Sequence, residues 1–172
     1  VTGVQTCALP ICIAPTKTFN LAGLQTAAVY AENSILHHRM WRQLNTDEVA
    51  EPNAFAIQAT IAAFQYGEEW LDELREYVEK NKQYVTEFLQ EKIPLIHPVA
   101  GDATYLMWLD CRDLGLSNEA LHDFMIQKAK LGLNDGCAFG RSLNGYMRLN
   151  AACPRSVLEQ AMRQLEAAVN SL

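Results

Sequence analysis

The sequence lacks the features of a membrane or nucleic-acid-binding protein. It has no apolar run approaching the ~20 residues that a membrane-spanning helix needs, and no basic segment followed by a long apolar core at its start. It also has no stripe of lysine and arginine, since 14 basic residues are outnumbered by 20 acidic ones and the formal net charge is −6. We therefore expect no membrane partner and no nucleic-acid partner.

The sequence also lacks the cysteine and histidine spacings that are typical of a disulfide framework or a metal site. The five cysteines are odd in number and no two have CxxC spacing, which argues against a disulfide framework and a zinc site and indicates a reducing compartment, the cytoplasm. His37 and His38 are adjacent, so on a helix they point to different faces, while His97 and His122 lie far from them in sequence. We predict no metal site. Hydrophobic residues make up 49% of the chain, an ordinary soluble globular composition.

The first eleven residues, VTGVQTCALPI, match the translation of a read primer used in short-read sequencing. We interpret residues 1–11 as adapter-derived and exclude them from reasoning about the fold. We expect the natural sequence to begin at about Cys12, with whatever preceded it lost.

The spacing of apolar residues predicts an α/β organisation. We expect a strand over 24–30, a helix over 34–44, a well-buried Ala-rich helix over 54–64 and a long amphipathic helix over 70–89. Further elements follow: a strand over 103–110, a helix capped by Ser117, a strand over 145–150 and a last helix opened by Pro154. From Ile93 onward this order predicts a small two-layer α/β domain.

Lys17, in APTKTFNLAGLQ, is the first candidate for chemistry. A lysine amine becomes a good nucleophile when it is desolvated or lies beside other cations, and the run 18–24 would bury it. Thr16 and Thr18 offer hydroxyls for a phosphate or a carbonyl. Taken alone, a single lysine before an apolar run is more typical of a solvated surface residue.

Arg148, in GYMRLN, is the second candidate. In a strand, Tyr146 and Arg148 face one side while Met147 and Leu149 face the other, so we expect burial of the latter pair and an outward Arg148. A guanidinium on a strand suits bidentate capture of a carboxylate. On spacing alone, an exposed arginine in a weak ion pair is the favoured interpretation.

The stretch NDGCAFG, residues 134–140, is the third candidate and is predicted to form a loop over a cleft. Cys137 could act as a nucleophile, but no histidine lies nearby in the sequence. We therefore favour a packing role for Cys137 in the core or the loop.

These segments together resemble the fold type I pyridoxal-phosphate enzymes. The stretches APTKTFNLAGLQ, AAFQYGEEWLDELREYVEKN, ATYLMWLD and GYMRLNAACPRSVLEQAMRQL are similar, in this order, to the cystathionine β-lyase-like branch of the class I/II aminotransferases. The likeness covers essentially all of residues 12–172. It implies that residues 12–92 are the end of the cofactor-binding large domain with an interdomain helix, and that residues 93–172 are the small C-terminal α/β domain.

The resemblance also implies roles for single residues. Lys17 would bind pyridoxal 5′-phosphate covalently and act as the general base, Thr16 would contact the cofactor, and Arg148 would bind the α-carboxylate of an amino acid substrate. The implied activity is β-elimination from cystathionine-like amino acids to a thiol, pyruvate and ammonia, in a homodimer with its active site at the subunit boundary. An aminotransferase would share both residues, and a non-catalytic small-molecule-binding α/β module is a third possibility.

Three departures from the family pattern are visible. Thr16 stands where the family commonly has serine, which keeps the hydroxyl, and Leu143 stands where it often has glycine, which affects the local turn. The family's partner of the pyridine nitrogen, its ring stacked on the cofactor and most of its phosphate cup precede the lysine and have no counterpart in residues 12–172. We therefore expect the 172-residue chain to be inactive alone.

Overall fold

The computed structural model describes residues 10–172. Residues 1–9, which hold most of the segment interpreted as adapter-derived, lie outside the described residues. The chain divides into two units, one ending at Glu73 and the other running from Leu74 to Leu172. Among the described residues, every helix is too short or too polar to span a lipid bilayer.

The first unit begins with a short antiparallel strand pair. Strand β1 (Ile11–Ile13) pairs with β2 (Ala28–Tyr30), and helix α1 (Pro15–Thr18) lies between them with proline at its first position. The strand predicted over 24–30 is confirmed only at its end. Leu24 ends a 3₁₀ turn, and Gln25 has a φ of 48°, a left-handed conformation that interrupts an extended chain.

Two further helices belong to this unit. Helix α2 (Ser34–Thr46) is capped by Asn33, whose side chain accepts hydrogen bonds from the amides of the second and third residues after it. Helix α3 (Ala56–Tyr66) forms as predicted, but the prediction that it is well buried is wrong. Ala56 is its only buried residue, whereas Phe64 is 58% exposed, because the described part of this unit supplies no second layer over its outer face.

The long amphipathic helix is confirmed as α4 (Glu68–Lys92), and the division between the units falls within it. Its buried residues Asn81, Val85 and Leu89 recur every four positions, so one stripe of its second half faces inward. This half packs into the same core as the sheet that follows. A domain boundary between residues 92 and 93 stays a prediction.

The second unit is built on a four-stranded antiparallel sheet in the order β3-β4-β6-β5. Its strands are β3 (His97–Pro98), β4 (Leu106–Asp110), β5 (Asn134–Asp135) and β6 (Tyr146–Asn150). The two central strands alternate buried residues with half-buried or exposed ones, as predicted for the strand that carries Arg148. The two edge strands are two residues long, so an alternating pattern in the sequence could not have revealed them.

Two helical segments complete the unit. Helix α5 (Asn118–Asp123) is capped by Ser117, whose Oγ accepts a hydrogen bond from the backbone amide of Ala120 at 3.2 Å. The helix continues into a π-helical turn over Phe124–Lys128. Helix α6 (Arg155–Val169) follows Pro154 as predicted. The spacing of apolar residues predicts Val157 on the apolar face of this helix, but its side chain is 53% exposed, so that prediction is wrong.

The core lies between the sheet and these helices. Met107, Leu109, Met147 and Leu149 point inward from the central strands, against a helical layer that includes Leu89, Leu121, Leu158, Met162 and Leu165. Burying each such side chain stabilises the fold by about 1.5–3 kcal/mol. The opposite face of the sheet, which carries Trp108 and Arg148, is free of this layer and can present side chains to a ligand. The two-layer α/β prediction is confirmed for residues 74–172.

Candidate functional site

Lys17 lies in the last turn of α1, and its side chain is exposed. Its neighbour Thr16 is half-buried, and Pro15 is buried. Within the described residues of the first unit, the Lys17 amine has no hydrogen-bond or ion-pair partner. The apolar run 18–24 does not bury Lys17, because the chain turns away through the 3₁₀ segment Ala22–Leu24.

The backbone after Lys17 is held by aromatic packing. The ring of Phe19 meets Phe64 edge to face at 5.3 Å and lies parallel to Trp70 at 6.3 Å between centroids. Gly67 permits this packing, since a Cβ there would collide with the Phe19 ring and the Ala63 carbonyl oxygen. The segment is therefore anchored two residues beyond Lys17 while the amine stays accessible.

Arg148 occupies the centre of β6. It lies opposite Trp108 on β4 and opposite Asn134 on β5, so three side chains share one face of the sheet. Arg148 is half-buried, while its neighbours Met147 and Leu149 are buried. The alternation predicted for this strand is confirmed.

The Arg148 guanidinium is held by two contacts. Nη2 donates a hydrogen bond to Asn134 Oδ1 at 3.0 Å, and the guanidinium carbon lies 4.3 Å from the centre of the Phe139 ring. Nε is buried and has no hydrogen-bond partner. No carboxylate among the described residues of the second unit pairs with Arg148. The weak ion pair favoured by spacing alone is therefore not formed within this unit.

A cleft of about 1030 Å³ opens beside Arg148. Its walls include Trp108, Thr104, His97 and part of α4, and Lys82 of that helix donates a hydrogen bond to the Gly101 carbonyl oxygen at 2.8 Å. A guanidinium with free donors at the edge of an open cleft is suited to bind a carboxylate.

Cys137 and Leu143 lie in the loop between β5 and β6. Cys137 is exposed, and its thiol donates a hydrogen bond to Asn144 Oδ1 at 3.0 Å. Desolvation, followed by the neighbouring Asp135, raises the pKa of the Cys137 thiol, which disfavours the reactive thiolate. Leu143 ends a 3₁₀ turn without the positive φ that would call for glycine.

No group of three side chains that could hold a metal ion occurs in residues 10–172. All four histidines are exposed, and Nε2 of His97 lies 2.8 Å from Oδ2 of Asp113 on the surface. The candidate residues are therefore an amine in the first unit and a guanidinium in the second.

Sequence reasoning missed the residues that hold Arg148. Phe139 and Asn134 were assigned to an undivided loop, and Trp108 to a strand whose neighbours were unknown. The alternation in ATYLMWLD could have shown which face carries Trp108. It could not have shown that Trp108 lies opposite Arg148, because a sequence pattern does not fix the register between strands.

A family model described as aminotransferase class I and II matches residues 9–165, a range that includes both Lys17 and Arg148. The chain is 38% identical over 159 residues to the cystathionine beta-lyase PatB of Bacillus subtilis, covering 92% of this chain and 41% of that protein. It is 34% identical to the protein MalY of Escherichia coli, covering 91% of this chain and 40% of that protein.

The crystal structure of cystalysin from Treponema denticola, which contains a pyridoxal 5′-phosphate cofactor, is similar to the chain with a TM-score of 0.94 and 27% identity. The similarity covers 98% of this chain and 43% of cystalysin. The chain thus spans about two fifths of the length of the curated relatives it matches.

Proposed function

We propose that this chain, which belongs to the class I and II aminotransferase family, serves in a pyridoxal-phosphate-dependent carbon–sulfur β-lyase. The observation that supports this most is the family match over residues 9–165, since it spans both an accessible lysine amine and a guanidinium that pairs with no carboxylate of its own unit. The likeness to a relative named a cystathionine β-lyase favours a sulfur-containing substrate. The reaction would convert cystathionine and water into homocysteine, pyruvate and ammonia.

The residues present fit the cofactor at a limited number of points. Lys17 offers an exposed primary amine without a partner in its unit, which can react with an aldehyde, and Thr16 offers a half-buried hydroxyl beside it. The Nε of Arg148 is buried and has no hydrogen-bond partner, and its terminal nitrogens form no ion pair with a carboxylate of the same unit. These residues fit a carbonyl cofactor and an anionic substrate.

Lys17 and Thr16 have distinct roles in this proposal. When bound, pyridoxal phosphate supplies an electron sink that stabilises negative charge at the substrate Cα. Lys17 would hold the cofactor before substrate arrives and, as a free amine, would take the substrate Cα proton onto Nζ. Thr16 would help to hold the cofactor through its hydroxyl. The anchoring of Phe19 keeps the lysine backbone in place during both steps.

Arg148 binds and orients the substrate. Its two terminal nitrogens bind the α-carboxylate, and this fixes the orientation of the substrate. Orientation of this kind lowers the barrier because the reacting groups no longer have to find one another. The partner of the protein is therefore a small amino acid, and we further propose a homodimer. The four free cysteines in the described residues support a cytoplasmic location.

An aminotransferase is the second candidate, since the matching family model is described by that activity. It would use Lys17 and Arg148 in the same way. Lys17 would then return the proton taken from the substrate Cα to the cofactor, and no thiol would be released from the substrate. The two activities yield different products, so one assay with two readouts separates them.

The test is a full-length hybrid in which residues 12–172 replace the matching segment of the Bacillus subtilis relative. We expect pyruvate and thiol release from cystathionine, no accumulation of the 2-oxo acid that transamination of intact cystathionine would give, and loss of turnover in Lys17→Ala. The matched control is Lys128→Ala, another exposed lysine, which should keep full activity. Turnover that survives Lys17→Ala, or a folded hybrid that only transaminates, would refute the lyase proposal.

A further inference from the structure

We propose that Phe139 is a positioning residue that presents Arg148 to the cleft with only one of its two donor edges available. This inference rests on the proposed role of Arg148 in binding a substrate carboxylate. It concerns how the guanidinium is aimed, and it assigns Phe139 no contact with substrate.

A guanidinium has two edges that can grip a carboxylate with parallel hydrogen bonds. The side edge combines Nε with Nη2, and the end edge combines Nη1 with Nη2. In Arg148 the side edge is closed, because Nε is buried and Nη2 is engaged by Asn134 at 3.0 Å. The end edge presents one hydrogen from each terminal nitrogen, and Nη1 has no hydrogen-bond partner among the described residues of this unit. A carboxylate can therefore approach Arg148 from one direction.

The ring of Phe139 sets the plane of the guanidinium. The guanidinium carbon lies 4.3 Å above the ring centre, a distance at which the cation is attracted to the ring face. The ring itself is braced by Trp108, which meets it edge to face at 5.4 Å. Trp108 is also the residue opposite Arg148 in the sheet, so the brace and the arginine share one rigid support.

The hydrogen bond from Arg148 to Asn134 sets the remaining degree of freedom. A guanidinium stacked on a ring can still rotate within its own plane. The bond to Oδ1 of Asn134, on the neighbouring strand β5, prevents that rotation. The ring and the amide together define one orientation, whereas either alone would leave a set of orientations.

Such positioning matters because a free arginine loses side-chain entropy when it binds. An arginine held in its binding orientation before substrate arrives avoids that loss. A cation–π contact at a partly exposed site changes affinity by about threefold to fivefold. We expect removal of the Phe139 ring face to weaken substrate binding by this factor while leaving the chemical step intact.

The first test reads the guanidinium directly. The rate of hydrogen exchange at Arg148 Nε–H is measured by nitrogen-edited NMR on the 172-residue chain, or on the hybrid if the chain self-associates. The signal is assigned by its absence in Arg148→Lys. We expect severalfold faster exchange in Phe139→Leu, where Nε becomes accessible, and the wild-type rate in Phe139→Tyr, which keeps the ring face.

The second test uses the kinetics of the full-length hybrid. Phe139→Leu should raise KM for the amino acid by about threefold to fivefold, with kcat nearly unchanged, and Phe139→Tyr should restore KM. Tyr84→Leu is the matched control. It removes another ring from an arginine in the same unit, since Tyr84 lies 4.6 Å from the Arg155 guanidinium, and should leave KM unchanged.

The outcomes separate this inference from the proposed function. A hybrid that folds but turns over no amino acid refutes the proposed function, and the exchange rates still decide whether Phe139 holds Arg148. If Phe139→Leu leaves the rate of hydrogen exchange at Arg148 Nε–H unchanged, the inference is overturned. An equal rise in KM for Phe139→Leu and Tyr84→Leu also overturns it, because the effect would then come from stability.

Discussion

Replacing Asn81 by aspartate should destabilise the second unit in a pH-dependent way. Asn81 is fully buried on α4, and its Nδ2 donates hydrogen bonds to the carbonyl oxygens of Ala151 at 2.8 Å and Cys153 at 2.9 Å. These bonds tie the long helix to the chain between β6 and α6. Asn81→Asp keeps the shape of the side chain but removes both donors.

The magnitude follows from the groups left without partners. Each buried carbonyl oxygen that loses its donor costs about 1–3 kcal/mol, so two of them lower the free energy of unfolding by about 2–6 kcal/mol at neutral pH. The introduced carboxyl would also face two carbonyl oxygens in the interior. Desolvation and this repulsion raise its pKa in the folded state, so the folded protein favours the protonated form, which keeps one donor hydrogen, as the pH falls.

The sign of the pH dependence is then fixed. Because the folded pKa lies above the unfolded value of ~3.9, the protonated form is favoured by folding. Asn81→Asp should come closest to wild-type stability below about pH 4, where one donor hydrogen is retained, and should lose stability as the pH rises toward the folded pKa.

The assay is urea unfolding followed by circular dichroism at several pH values between about 4 and 8, with wild type measured at each pH. Gln83→Ala is the matched control, because Gln83 lies on the same helix but is exposed, and it should change the stability little. A loss of less than about 0.5 kcal/mol at neutral pH, or a loss that does not vary with pH, would falsify the reasoning.

Four other outcomes are expected. Asp110→Asn should lower the free energy of unfolding by about 1 kcal/mol at neutral pH, because a hydrogen bond from the largely exposed Arg112 lowers the pKa of the Asp110 carboxyl to about 2 and solvent screens part of this interaction. The contribution of Asp110 to stability is present above about pH 4 and is lost as the pH falls toward 2. The control is Glu76→Gln, which removes one member of an exposed ion pair and should show little effect in the same acid titration. Arg148→Lys in the hybrid should weaken amino acid substrates far more than cofactor, since lysine cannot form the bidentate grip, and equal losses in titrations of both would contradict this role. The 172-residue chain should self-associate through the apolar face of α3 in sedimentation, Phe64→Lys should reduce the effect, and a clean monomer would count against it. When pyridoxal phosphate is added, the same chain should show no visible absorbance that depends on Lys17 and reaches one cofactor per chain. Saturable binding with turnover would mean that residues 12–172 suffice to form a competent cofactor site.

Much of the second unit could be predicted because its burial follows simple periodicity. The alternation around Arg148, the cap at Ser117 and the inward stripe of α4 are all local patterns, and each is present in the structure. The exposure of α3 could not be predicted in the same way. Its apolar composition shows a preference for burial, but composition cannot show whether a covering layer is present.

The surroundings of Arg148 depend on long-range geometry. Asn134 is fourteen residues away in sequence and reaches Arg148 only because β5 pairs with β6 in one particular register. Strand β5 is two residues long, which is below the length at which alternation is informative. The roles of Lys17 and Thr16 could be inferred only from the resemblance to a family, since neither position is distinctive by itself.

The short edge strands of the sheet have a consequence for how copies of this chain can meet. A neighbouring copy could extend the sheet only by pairing with a row of free backbone amides and carbonyls, and β3 and β5 each provide two residues for this purpose. Pro98 in β3 has no N–H to offer. Association through the second unit should therefore involve side chains, disperse in mild detergent, and give no signal with dyes that report cross-β fibrils.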